Sequence, residues 1–134
     1  MKVVLDTNVL ISGIYFGGIP KKILRAWAKG RRFDLYVTTD ILEEYLRVIY
    51  EIGIRIKRVS LSQTWSQNLP RACNIVPAQI IKSSYSRDPD DDMFVSCAIT
   101  SKADFLITGD KDLRYLTEDF GFKILSPRQF LNIL

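Results

Sequence analysis

The sequence predicts an α/β protein: a three-layer α/β/α sandwich around a central, mainly parallel, Rossmann-like sheet. Three observations carry that reading. Short apolar runs such as "KVVL" and "FLIT" have the length of buried strands and recur along the chain. Helix-like segments separate them, and strands alternating with helices form parallel sheets covered on both faces. The chain has 134 residues, 47% of them hydrophobic, which suits one domain over 1–134 with a core that needs no staples.

Taken in order, "KVVL" is the first strand and ends at Asp6, with "TNVLISGIYF" leading through a turn to the Gly17-Gly18-Ile19-Pro20 break. Pro20 falls in the first turn of a helix through "KKILRAWAKG", and Gly30 closes it. "DLYVT" at 34–38 is the second strand. From Asp40, apolar residues at 41, 42, 45, 46, 48 and 49 give the 3.6-residue period of an amphipathic helix ending near Gly53. Ser60 or Ser62 is placed to cap a helix holding Leu61, Trp65 and Leu69, which Pro70 bends or stops. "NIV" at 74–76 is a short strand, and Asp88 to Asp92 opens a helix running to about Ser101. "ADFLIT" gives a strand leading to Asp110, before a last strand, "FKIL", and a last helix, "PRQFLNIL". No internal repeat or linker interrupts the pattern.

Composition narrows the chemistry. The chain has no histidine, which excludes a histidine-based ribonuclease site, a Ser-His-Asp triad and the usual zinc sites. Cys73 and Cys97 lack metal-site spacing and read as buried thiols of a reducing compartment. No apolar stretch approaches the ~20 residues of a membrane span, and the N-terminus enters a strand without a signal peptide. A cytoplasmic protein with no membrane partner is expected. Nineteen Lys and Arg against fifteen Asp and Glu leave +4, a modest excess that suits a polyanionic partner.

The acids are the informative residues. "SRDPDDDMFVSC" sets aspartates at 88, 90, 91 and 92. Two carboxylates ~4 Å apart repel by about 4 kcal/mol at an effective dielectric of 20. A helix N-terminus returns only about 0.3–1 kcal/mol per charge. A solvated helix start therefore accounts for one or two of them, and a cation for the rest.

In open parallel sheets, ligands gather outside the carboxyl ends of the strands. Asp6 ends the first strand, Asp110 follows "FLIT", and the aspartate cluster opens the helix leading into that strand. Asp88 precedes a proline and suits a turn, whereas Asp90 suits the helix N-cap. Asp91 shares a helical face with Val95 and Ala98 and looks inward, while Asp92 faces elsewhere and complements the helix dipole. On the helix after Asp40, Glu44 lies beside Ile41 and Val48 at the border of the apolar face. Glu43 instead completes a capping box with Asp40 and pairs with Arg47. Asn8 is placed to orient Asp6 or cap the next segment, and Thr108 to do the same for Asp110. Asp112 caps the "LRYL" turn or touches the acidic site. A polyanionic partner needs a cationic approach, and Lys21, Lys22 and Arg25 are the candidates to bind it, against a plain solvated face. Trp27 and Trp65 read as core or dimer contacts rather than stacking platforms.

"VVLDTNVLISGIY", "ILEEYLRVI", "RDPDDDMFVSCAITSKADFLITGDKDL" and "ILSPRQFL" together resemble the PIN-domain family of metal-dependent ribonucleases, from residue 3 to about 131. The resemblance is to its toxin-component branch, akin to VapC-type toxins of toxin–antitoxin pairs. It implies a PIN-like fold and an acidic quartet of Asp6, Glu44, Asp91 and Asp110, the set reached above from strand ends and helix faces. It also implies cleavage to 5′-phosphate and 3′-hydroxyl ends, an antitoxin partner, and a homodimer as in many members. Where the branch commonly reads "DPDDN", this chain has Asp92.

Oxygen ligands without histidine or thiolate favour Mg²⁺ or Mn²⁺. Asp6 and Asp91 are expected to hold the principal ion, with Glu44 and Asp110 completing one or two sites. Two related enzymatic or signalling readings fit poorly. An aspartyl phosphatase wants a second aspartate where Asn8 stands, and a receiver domain wants paired acids after the first strand. The remaining alternative is a catalytically silent RNA- or antitoxin-binding module.

Overall fold

The computed structural model describes residues 1–78, 89–114 and 120–134, except for the side chains of 89–91. These residues form an α/β/α sandwich on five parallel strands, β1 (Lys2–Leu5), β2 (Asp34–Val37), β3 (Asn74–Ile75), β4 (Phe105–Ile107) and β5 (Lys123–Leu125). The strand order is β3-β2-β1-β4-β5. The chain winds outward from β1 through β2 to β3, then crosses back to β4 on the other side of β1. The switch point therefore lies between β1 and β4, where Leu5 pairs with Ile107. Val3, Val4 and Leu5 are fully buried, as expected for a strand in a sheet covered on both faces.

The first helix, α1 (Thr7–Tyr15), replaces the expected turn. Asp6 is its N-cap and accepts the backbone N–H of Asn8 at 3.4 Å. Val9, Leu10, Ile11 and Ile14 are all buried, and only Asn8, Ser12 and Tyr15 look outward, a polar stripe too narrow to mark the helix in the sequence. Gly13 lets α2 (Gly18–Ala28) come close, because a Cβ there would meet the Pro20 carbonyl oxygen at 2.8 Å. Pro20 sits in the first turn of α2 as its fixed φ predicts.

Helix α3 (Thr39–Arg55) begins one residue earlier than expected, capped by Thr38 through the Ile41 N–H. Asp40 thus lies inside the first turn, and the Asp40–Glu43 capping box does not form. Arg47 pairs with Glu51 at 3.3 Å and approaches Glu44 at 3.9 Å, rather than pairing with Glu43. Helix α4 (Val59–Ala72) starts at Val59 with no side-chain cap, so neither Ser60 nor Ser62 has the expected role. Ser62 is buried and donates to the Ile49 carbonyl. Pro70 lies within α4, which stops two residues later.

Helix α5 (Pro89–Ser101) packs on β1, β2 and β4 and touches α3. It starts at Pro89, so Asp90 is a helical residue and not the cap, and Asp88 falls outside the described residues. Asp92 does not face solvent: it is 6% exposed, on a helix whose residues 94–98 are all buried. Helix α6 (Lys111–Arg114) is one turn long, and α7 (Pro127–Ile133) closes the chain with a Ser126–Gln129 capping box. Among the described residues no helix is long and apolar enough to cross a membrane. Cys97 is buried, Cys73 only half-buried, and both thiols are free.

Candidate active site

The site is built where β1 and β4 end. Asp6 follows β1 directly, and its N–H donates to the Ile107 carbonyl at 2.9 Å, so the strand pairing itself places it. Thr108 follows β4 and is fully buried. Its hydroxyl donates to Asp6 Oδ2 at 2.7 Å and accepts the Asp110 N–H at 2.9 Å. One hydroxyl thus ties two of the expected acids together across the switch point. Thr108 was expected to serve Asp110 alone; it orients the Asp6 carboxylate and holds only the backbone of Asp110.

Asp110 Oδ1 accepts the Asp112 N–H at 2.8 Å, so Asp110 performs the capping expected of Asp112. Asp112 is exposed and lies within α6. Asn8 contributes its backbone N–H to Asp6, while its side chain is exposed.

Glu44 comes from α3 and is held by a residue that sequence reasoning missed. Thr7 Oγ1 donates to Glu44 Oε2, linking α3 to the residue after Asp6. Next to Glu44, the fully buried Tyr45 donates its hydroxyl to the Leu5 carbonyl at 2.5 Å. Two successive α3 residues therefore clasp the segment on either side of Asp6. Tyr45 had looked like an ordinary core residue on the apolar face, and Thr7 stood unmarked between Asp6 and Asn8. A buried hydroxyl beside a strand-end acid was the available signal.

The electrostatics are unbalanced. Burial raises the Asp6 pKa above the ordinary carboxylate value; the Thr108 and Asn8 hydrogen bonds oppose this, and the Asp110 charge adds to it. Tyr45 is raised well above its usual range, chiefly by burial, with the Asp6 and Glu44 charges contributing. Among the described residues no cation pairs with Asp6, and Glu44 has only Arg47 at 3.9 Å, a side chain more than half exposed. An unpaired buried carboxylate is costly unless a cation joins it.

The donor set is all oxygen, which suits a hard divalent ion. Among the described residues, however, no three Asp, Glu, Cys or His side chains are grouped closely enough to hold one. Asp91 lies in the first turn of α5, the helix packed against β1 and β4, and its side chain is outside the description. Lys21, Lys22 and Arg25 are exposed on α2, which packs against α1.

An all-parallel sheet with a topological switch, flanked by strand-end acids, defines a Rossmann-like α/β protein with its candidate site in the crevice. The PIN-domain family matches residues 2–112, most of the chain, and the protein belongs to that nuclease family. The fold is similar to that of a chain in the crystal structure of VapBC2 from Rickettsia felis bound to a DNA fragment from their promoter. The TM-score is 0.61 at 14% identity, covering 94% of this chain and 98% of that one. No curated protein matches the sequence.

Proposed function

We propose that the protein is a metal-dependent endoribonuclease that cleaves single-stranded RNA in the cytoplasm, as the toxin of a toxin–antitoxin pair. The observation that carries this reading is Asp6: a buried, raised carboxylate at the switch point, joined to Asp110 through Thr108 and, among the described residues, without a cation partner. Asp6 and Asp91 would hold Mg²⁺ or Mn²⁺, with Glu44 and Asp110 completing the site. When bound, the ion would neutralise charge developing on the scissile phosphate and acidify the attacking water.

The chain's own residues supply the rest. Thr108 fixes the direction of Asp6, and Thr7 fixes that of Glu44. Glu44 and Asp110 would orient the water for in-line attack, and the products would carry 5′-phosphate and 3′-hydroxyl ends. Lys21, Lys22 and Arg25 would attract the RNA backbone. An antitoxin partner is supported by the likeness to VapBC2, and a homodimer by the family resemblance.

The test is cleavage of single-stranded RNA with Mg²⁺, with Mn²⁺ and with chelator, comparing the parent with Asp6→Asn and Asp91→Asn. Metal-dependent cutting lost in both variants supports the reading. RNA binding by the parent without cutting would make the protein a silent binding module. Equal activity in parent and variants would place the chemistry elsewhere.

A further inference from the structure

A cavity of about 630 Å³ opens between the C-terminal end of α2, the start of β2 and the second half of α4. Its size is that of sites that take a substantial side chain or small ligand. Trp27, Phe33, Trp65 and Leu69 are its large apolar lining residues, and Arg31, Asp34, Thr64 and Asn68 its polar ones. It is remote from the acidic crevice in the fold: Asp34, which also lines it, pairs with Lys2 at the amino end of β1, whereas Asp6 follows the carboxyl end. Four residues of strand, about 13 Å at 3.3 Å per residue, separate the two levels.

We propose that this cavity docks an acidic segment of a separate protein, which seats one apolar side chain against the two tryptophans. Two observations choose this occupant. Arg31 lines the cavity, and the exposed Lys29, Arg32 and Arg71 flank lining residues in the chain. Among the described residues none of these four cations pairs with a carboxylate, and Asp34 is the one acid in the lining. Among the described residues the charge of this group is thus net positive, four cations against Asp34, and complementary to acidic flanks.

The second observation is the state of the rings. Trp27 is only 9% exposed and packs against Trp65 at a centroid distance of 6.5 Å with 30° between planes. A base-stacking platform needs an open ring face, which Trp27 does not offer. An apolar anchor entering beside the rings suits the walls better. This docking is independent of the nuclease reading, so either can fail alone.

The chain has two tryptophans, both in this cavity, so intrinsic fluorescence reports it directly. The probes are a short oligoglutamate peptide with one central leucine, the same peptide without leucine, an oligolysine peptide with leucine, and a single-stranded oligouridylate. The expected result is a saturable blue shift with the leucine-bearing acidic peptide. Arg31→Glu should weaken binding about tenfold, and Ala72→Phe, which fills the cavity from the exposed end of α4, should abolish it. Asp6→Asn should bind as the parent does. No response, an equal response without leucine, preference for the oligolysine peptide, or a response to oligouridylate that Ala72→Phe removes would each overturn the proposal.

Discussion

Thr108 donates its hydroxyl to Asp6 Oδ2 at 2.7 Å and accepts the Asp110 N–H at 2.9 Å, so one side chain sets both the direction of one acid and the position of another. Thr108→Val keeps the shape and removes both bonds. It should lower metal-dependent RNA cleavage by about 10–100-fold, the usual effect of losing a ligand-orienting hydrogen bond, while Thr108→Ser retains most activity. Steady-state cleavage rates against metal concentration check this, and a Val variant as active and as metal-responsive as the parent would contradict it.

Asp6 makes the metal-free protein pH-sensitive. Its folded pKa is raised, chiefly by burial, so the folded state holds a proton that the unfolded chain has already released. Its contribution to stability therefore falls as pH rises from about 3.8 through the folded pKa, and the penalty persists above it. Asp6→Asn should melt at a higher temperature than the parent in chelator at neutral pH, with the gap closing on acidification. Adding Mg²⁺ or Mn²⁺ should stabilise the parent more than the variant. Parallel melting curves at every pH would refute this.

Tyr45→Phe should cost about 1–3 kcal/mol, because it leaves the Leu5 carbonyl without its partner inside the core. Urea denaturation measures the loss. A neutral outcome would mean that the clasp between α3 and β1 carries no weight.

Gly53→Ala tests the closeness of α3 and α4. An added Cβ would lie 2.6 Å from the Ser62 Cβ and 2.9 Å from the Tyr15 hydroxyl. Overpacking of this kind costs about 1–3 kcal/mol, more than the helix-propensity gain of about 1 kcal/mol that alanine brings. The expected net effect is a lower urea midpoint.

Burial pushes both cysteine thiols up to about 12. The unfolded chain releases these protons near 9, so the folded state holds more protons between about 9 and 12, and stability falls as pH rises through that window. A Cys73→Ser, Cys97→Ala variant should lose less stability than the parent between pH 8.5 and 10.5 in melting experiments.

Much of this was legible in the chain itself. Periodicity marked α3, the apolar runs marked β1 and β4, and the two strand-end acids pointed to a common sheet edge. The motifs that resemble the PIN-domain family also fixed the family. Helix α1 escaped because it is short and mostly buried, with only Asn8, Ser12 and Tyr15 on its outer face to mark a helical period. Cap positions slipped for a local reason: Thr38 and Asp110 each compete with a second polar residue two positions along, and only the backbone path decides between them.

By itself the sequence determined the alternating architecture and the exclusion of histidine-based sites, since strand length, helical period and the absence of histidine are properties of the chain alone. Folding decided the partnerships: Thr108 with Asp6 across 102 residues, Thr7 with Glu44 across 37, Tyr45 with Leu5 across 40. Such pairs depend on which strands become neighbours and how far each helix is rotated about its axis. Those quantities follow from packing the whole core at once, which no local pattern encodes.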